Sequence, residues 1–524
     1  FHPQSWFLIM RRIFYILALS FLAASCNWLA ITPENAIDED DLFTTGYGCR
    51  NSLNGIYLKM GTSDVYGENL SWGFLSAAAQ EYLTDNSQQG SFSLQLTKDA
   101  ADFIYNSTTT QPVIQSIWET QYSMIANINK ILEHIDDIPK IEFAYGEEER
   151  TLIKSEALAL RALLHFDLLR LFAPAPATNP GGTYLPYREE FSSSIGEKLT
   201  VSQFIEKVLM DILKAEAGLK MIDTEFHPSA MYASMMNEAS ISWNARYRFN
   251  SQMYIDEMGE FFWFRGWRIN YLALLGLKAR ICLYAGPDYY SIARSAAKEL
   301  YDEYYINRKW VGFTPSDNIT CQSELRHFKV ADDVLFGAYY RNLAVDYDSV
   351  LYGNDNNVRY PLANIETLFA KDNTGNYSDY RLTYLIKSTN ALNKAYYSGK
   401  YSVSSESVVE SMENPMIPVI RFSEVCYILA ELSANSGKID EGIGYLTQVR
   451  EARGAKRTIN AATAEELMDE IIMDARKDLI CEGQTFFLYK RLNLPTVPSA
   501  SRPGTEKPME AGYVLPIPTS ESPF

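Results

Sequence analysis

Apolar residues recur at helical spacing through much of the chain. Between residues 149 and 172, Leu152, Leu160, Leu163, Leu164, Leu168, Leu171 and Phe172 fall three and four apart. That spacing predicts a helix passing from amphipathic to buried. Pro174 and Pro176 end it, because proline cannot extend the hydrogen-bond ladder and pushes its predecessor out of the helical region. Residues 114–135 repeat the pattern through Ile117, Ile125, Ile128 and Ile131. An apolar helix is predicted over 269–285, stopped by Gly286-Pro287, with a polar helix over 288–302 after a tight turn. Further on, 422–436 reads as helix, and Gly437 suits the left-handed position past its end. Asp440 can cap the next helix, running to about Arg453. Thr463-Ala464-Glu465-Glu466 is a capping box, in which hydroxyl and carboxylate satisfy opposite free amides. The helix it starts carries Leu467, Ile471, Ala475 and Leu479 on one face and continues toward Cys481.

Helix pairs of this length resemble tetratricopeptide units, whose period is about 34 residues. Between 303 and 420 the character changes. Residues 353–357, 372–376 and 402–407 are turn-rich or low in complexity, as in long surface loops. Val334-Leu335-Phe336 and Val419-Ile420 are short apolar pieces that can form strands. The fold class predicted is all-α: tetratricopeptide-like helix pairs forming a scaffold, with a loop-rich ligand-binding part containing few short strands. The chain divides into upstream residues and a signal peptide (1–25), an N-terminal helical region (26–302), a loop-rich insertion (303–420) and a C-terminal helical region (421–524).

The first residues concern targeting and not the fold. Met10-Arg11-Arg12 is basic, 13–24 is an unbroken apolar run, and Ala23-Ala24-Ser25 leads to Cys26. A basic start, about 7–15 apolar residues and small residues at a cleavage point make a secretory signal. The run is shorter than the roughly 20 residues a membrane-spanning helix needs. A cysteine directly after the small residues resembles a bacterial lipobox, so Cys26 is expected to become the lipidated N-terminus of an exported lipoprotein. Residues 1–9 read as upstream sequence.

A net charge of −18 argues against nucleic acid, whose phosphates call for a basic footprint. There are 35 tyrosines against 26 phenylalanines, a balance that favours surfaces that bind, although most of these rings are expected to pack between helices. Cys282, Cys426 and Cys481 sit in apolar helical patterns as small hydrophobes. Cys49 and Cys321 could pair, which spacing alone leaves open.

Signatures of catalysis, of phosphate loops and of zinc sites are absent from the sequence, so no catalytic residue, no metal ligand and no cofactor is expected. His165 lies in an apolar helix and is expected to be a satisfied core residue. One chemistry does suit the composition. Rings in loops can stack on the apolar faces of sugars while amides and carboxylates bond the hydroxyls. The candidates are Asn69 with Trp72, Trp310 with Phe313, Tyr339-Tyr340, and the stretch from Tyr347 to Tyr352. The residues expected to contact ligand are Asn69, Trp72, Trp310, Tyr339, Tyr340 and Tyr352. The denser run from Phe261 to Trp267 leads into the 269–285 helix and is expected to pack.

Several short motifs now fall into one order. Ala30-Ile31-Thr32-Pro33 and Asn51-Ser52-Leu53-Asn54-Gly55-Ile56-Tyr57 come first. Tyr122, Ile125 and Asn129, then Glu156-Ala157-Leu158-Ala159-Leu160-Arg161-Ala162, follow. Leu277-Lys278-Ala279-Arg280, Ile420-Arg421-Phe422-Ser423-Glu424, the stretch from Arg476 through Glu482-Gly483 to Lys490-Arg491, and Leu515-Pro516-Ile517-Pro518 complete the series. In this order they resemble the SusD/RagB family of Bacteroidetes lipoproteins. The chain departs from the pattern at Ala475, Gln484 and Leu488-Tyr489.

The resemblance implies a nearly all-helical, non-enzymatic protein that binds a glycan or other nutrient. It implies a place at the outer membrane, lipid-anchored and facing the cell exterior, as a lid on a SusC-like TonB-dependent transporter. Two other readings remain beside it: a helical scaffold lipoprotein binding only protein partners, and a secreted glycan-active enzyme. The long insertion favours the first over the scaffold, and the missing catalytic signature counts against the enzyme.

Overall fold

A computed structural model describes residues 42–518, apart from 86–92, 193, 195, 233–245, 248–258, 324–325, 353–356, 373, 390–393 and 403–412. Cys26, the signal segment, the first motif of the series and most of the 402–407 stretch lie outside the described residues.

Thr45 opens the first helix, α1 (Gly46–Met60), by accepting a hydrogen bond from the Gly48 amide at 3.2 Å. Its apolar face carries Leu53, Ile56 and Met60 into the core. α2 (Thr110–His134) lays Ile114, Ile117, Ile125, Ile128 and Ile131 against α3 (Gly146–Phe172). From Ser155 onward every residue of α3 is buried, as its all-round apolar pattern predicts, and α4 (Val201–Lys220) packs along it. A capping box of Thr200 and Gln203 starts α4. α5 (Tyr271–Ala285) follows, its first amides served by Asn270, and packs on α4, α6 (Tyr290–Glu299) and α7 (Phe422–Asn435). α6 runs on as a wide helical turn to Asn307.

The C-terminal helices keep close to their predicted bounds. α7 ends before Gly437, which takes φ 71° where a side chain would be strained. α8 (Ile439–Ala452) begins one residue before Asp440, so Asp440 sits in its first turn and does not cap it. The capping box of Thr463 and Glu466 forms as expected and starts α9 (Ala464–Asp478). α9 stops short of Cys481, and α10 (Gln484–Arg491) follows a turn. α8 and α9 both pack on α7.

The chain is helical with a few short strands, as the pattern predicted. The two apolar pieces of the insertion pair with each other: β1 (Val334–Tyr339) and β2 (Met416–Arg421) run antiparallel with Phe336 opposite Ile420. The insertion also holds a helix, Leu343–Leu351, where loop was expected. Leu343, Ala344, Tyr347 and Leu351 are its buried side, a helical spacing.

Buried arginines bind the insertion to the C-terminal helices. Arg421 donates to Glu482 at 2.7 Å and to Asp333 at 2.7 Å. Arg453 reaches Asp333 at 2.6 Å and Asp478 at 2.7 Å. Arg381 reaches Asp379 and Asp474, each at 2.7 Å, and Lys400 reaches Glu482 at 2.7 Å. Burial alone would raise the Glu482 carboxyl, but Arg421 and Lys400 outweigh it and hold the group below its ordinary value. Cys49, Cys282, Cys426 and Cys481 are buried thiols, Cys321 is half-buried, and all five are free, so Cys49 and Cys321 are unpaired. Among the described residues no helix is long and apolar enough to cross a membrane.

Candidate functional site

The segment after α1 turns back on itself through short backbone bonds. Gly67 N donates to Thr62 O at 2.9 Å, Leu70 N to Val65 O at 2.8 Å and Gly73 N to Glu68 O at 2.8 Å. Gly61 allows the turn to press on the end of β1, since a Cβ there would sit 1.9 Å from the Tyr339 carbonyl oxygen. The Tyr66 hydroxyl donates to buried Asp167, which ties the turn to α3. Its outward side is therefore held against a rigid support.

Asn69 and Trp72 belong to this turn, and both are buried. Trp72 gives its indole N–H to Gly67 O at 2.7 Å and packs edge-on against Tyr347, 4.9 Å away, and Tyr360, 5.5 Å away. Asn69 donates to Asp64 O at 3.3 Å. The expected exposure of these two side chains is thus corrected: they build the turn. Trp310 is also buried, against Tyr304 at 5.3 Å and Tyr232 at 5.5 Å. Tyr339 is half-buried, edge-on to Trp267 at 5.4 Å.

Tyr340 and Tyr352 remain partly open to solvent, at either end of the 343–351 helix. Tyr340 is fixed by its amide, which donates to Pro415 O at 2.8 Å, and by its hydroxyl, which donates to Asp346. That hydrogen bond, with burial, pushes the Tyr340 hydroxyl up to about 12. Tyr352 meets Tyr397 edge-on at 5.9 Å, and burial chiefly raises its hydroxyl. Glu68, from the turn after α1, lies within electrostatic reach of Asp346 and Tyr340. Burial first, then the Asp346 charge, pushes the Glu68 carboxyl up to about 7, so near neutral pH it can donate as well as accept a hydrogen bond. Arg341, Asn342 and Ser349 are exposed around the pair.

Tyr340 and Tyr352 thus stand at opposite ends of a nine-residue helix, with a protonatable carboxyl and a carboxylate at the Tyr340 end. That is a surface able to stack on sugar faces and exchange hydrogen bonds with hydroxyls. Glu68 and Asp346 escaped the sequence reading because each is an unremarked acid in its own segment. The Phe261–Trp267 run packs as expected at its core: Phe261 and Phe262 are buried, and Arg265 pairs with Glu156 and, at 2.7 Å, with Asp223. Among the described residues no group of three or more His, Cys, Asp or Glu side chains is placed to hold a metal ion.

Comparison with known proteins adds independent findings. Residues 56–242 match a SusD-like family model described as starch-binding associating with outer membrane, and residues 347–521 match the SusD family model. A SusD-like protein of Formosa agariphila is 21% identical, over 91% of this chain and 90% of its own length. Among solved structures, a SusD superfamily protein from Bacteroides thetaiotaomicron superposes with a TM-score of 0.64 at 22% identity, covering 91% of this chain and 97% of that one. A SusD-like carbohydrate binding protein from Bacteroides vulgatus gives a TM-score of 0.62 at 18% identity, covering 91% and 96%.

Proposed function

Because this chain belongs to the SusD/RagB family, we propose that it binds an oligosaccharide at the outer membrane and passes it to a SusC-like TonB-dependent transporter. In this reading Cys26 carries the lipid anchor, the protein faces the cell exterior, and no chemistry is done on the ligand. The observation that carries the proposal is the pair of half-open rings, Tyr340 and Tyr352, with Asp346 and Glu68 beside Tyr340. Asn69, Trp72 and Tyr339 support these residues from behind, and the ligand meets Tyr340, Tyr352, Asp346 and Glu68.

A glycan array followed by calorimetry on the purified protein tests the binding. Y352A should weaken the bound glycan about tenfold, the loss expected of one stacked ring. Binding of peptides alone, with no glycan bound, would instead support the protein-only scaffold. Gentle solubilisation and pull-down should bring a large β-barrel transporter with the chain, and recovery of the chain alone would count against delivery.

The enzyme reading rests on one observation. A carboxyl raised to about 7 beside a second acid is also the pairing glycosidases use. Prolonged incubation with a bound glycan should release no reducing ends; release that E68Q abolishes would establish the enzyme.

A further inference from the structure

We propose that a cleft on the N-terminal helical region is a second and separate oligosaccharide site, for a neutral glycan. The cleft lies between α2 and residues 186–192, 194 and 196 and has a volume of about 420 Å³, within the roughly 300–1,000 Å³ typical of ligand pockets. It goes beyond the insertion site and shares no residue with it.

One wall is a face of α2, where Trp118 and Tyr122 lie one turn apart with their rings 4.8 Å from each other. The opposite wall carries Arg188, Glu190 and Phe191. Phe191 is 52% exposed, an unusual position for a phenylalanine, and the Lys130 ammonium stands 4.0 Å from its ring centroid. The cleft thus presents an open aromatic face across from a half-buried tyrosine.

The second wall is pinned at several points. Tyr122 donates its hydroxyl to Pro186 O at 3.1 Å. Asn129 donates to Arg188 O at 3.0 Å and Glu190 O at 3.2 Å, while Arg161 donates to Glu189 O at 3.1 Å. The Arg188 amide donates to His165 Nε2 at 3.0 Å. Burial holds the His165 ring neutral, lowering it to about 3, which suits that acceptor role. A wall fixed before ligand arrives spares much of the ordering cost of binding.

The polar groups choose the ligand class. Glu119 and Glu190 are exposed acids on the rim, and the Glu190 carboxylate finds no partner among the described residues. The one guanidinium of the described lining, Arg188, gives its N–H groups to Ser192 O and Ser194 O. The Glu190 acceptor is thus open, while Arg188 is spent on backbone carbonyls and the Lys130 ammonium lies against the Phe191 ring, a combination that suits sugar hydroxyls better than sulfate or uronate. Rings on facing walls with an open acid at the rim favour a short neutral chain.

The test uses the full chain in detergent micelles, with maltohexaose, cellohexaose, laminarihexaose and mannohexaose as neutral probes and trigalacturonate as the anionic one. Calorimetry should find a neutral probe whose affinity falls about tenfold in F191A and is kept in F191W. E190Q should weaken the same probe. F191A and E190Q alter exposed side chains, and an unchanged melting profile will confirm that both fold. Neutral-probe binding unaffected by F191A and E190Q, binding of trigalacturonate alone, or no binding of any probe would overturn the proposal. If Y352A removes all binding and F191A none, the insertion site stands and this one falls. If F191A removes all binding and Y352A none, this cleft stands and the insertion site falls.

Discussion

Replacing Glu68 with Gln probes the acid pair of the insertion site through stability, without needing the ligand. A free glutamate titrates near 4.5, whereas burial and the Asp346 charge keep Glu68 protonated up to about 7. At full strength that displacement corresponds to about 3 kcal/mol, and solvent on the open side of this half-buried residue reduces it to about 2 kcal/mol. The sign follows from proton binding. The folded chain holds this proton more tightly than the unfolded chain, so the group opposes folding once it must ionise. The penalty is absent below about 4.5, grows as pH rises, and is complete above about 7. Glutamine keeps the shape and dipole of the protonated acid and never ionises. E68Q should therefore match the unaltered chain near pH 4 and exceed it by about 2 kcal/mol near pH 8, read by urea denaturation. D346N removes the neighbouring charge, so adding E68Q to it should produce a smaller gain. A gain independent of pH, or one largest in acid, would refute the raised carboxyl.

Three further outcomes follow from the packing. R421M should lose about 3 kcal/mol or more, because Asp333 and Glu482 stay buried with one cation fewer; Arg453 and Lys400 limit the loss, and urea denaturation will measure it. T463A removes half of the α9 capping box and should cost about 1 kcal/mol in the same assay, while T463S should recover most of it. Among the described cysteines, a thiol reagent with mass-spectrometric mapping should label Cys321 first, because burial raises the thiols of Cys49, Cys282, Cys426 and Cys481 and shields them until the chain opens.

What is legible in the sequence is local. α3, α9 and the end of α7 follow from spacing, prolines, a capping box and a glycine, all within a few residues of the features they explain. The 343–351 helix is hidden although its buried residues are spaced for one, because its tyrosine and aspartates suit ligand chemistry equally well and turn-rich segments surround it. Trp72 shows the stronger limit. Nothing near it in the chain shows that Tyr347 and Tyr360 will cover it, and the same holds for Tyr232 against Trp310.

The tyrosine excess carries this point furthest. In the sequence it favours a binding surface, with most of the rings expected inside. Many of the hydroxyls in fact face inward as cross-links: Tyr57 to Glu156 at 2.7 Å, Tyr105 to Gly512 O at 2.6 Å, Tyr187 to Asp211 at 2.5 Å and Tyr271 to Glu299 at 2.7 Å. A ring that fills apolar space and ends in a donor can join distant segments of a helical scaffold without leaving a buried polar atom unpaired. Ligand chemistry then falls to the few rings the scaffold leaves open. Tyr340 follows a strand and Tyr352 follows a helix, and Glu68 reaches Tyr340 only because the segment after α1 turns back against the end of β1. The site is therefore a product of long-range packing, and its acids acquire their character only where the two segments meet.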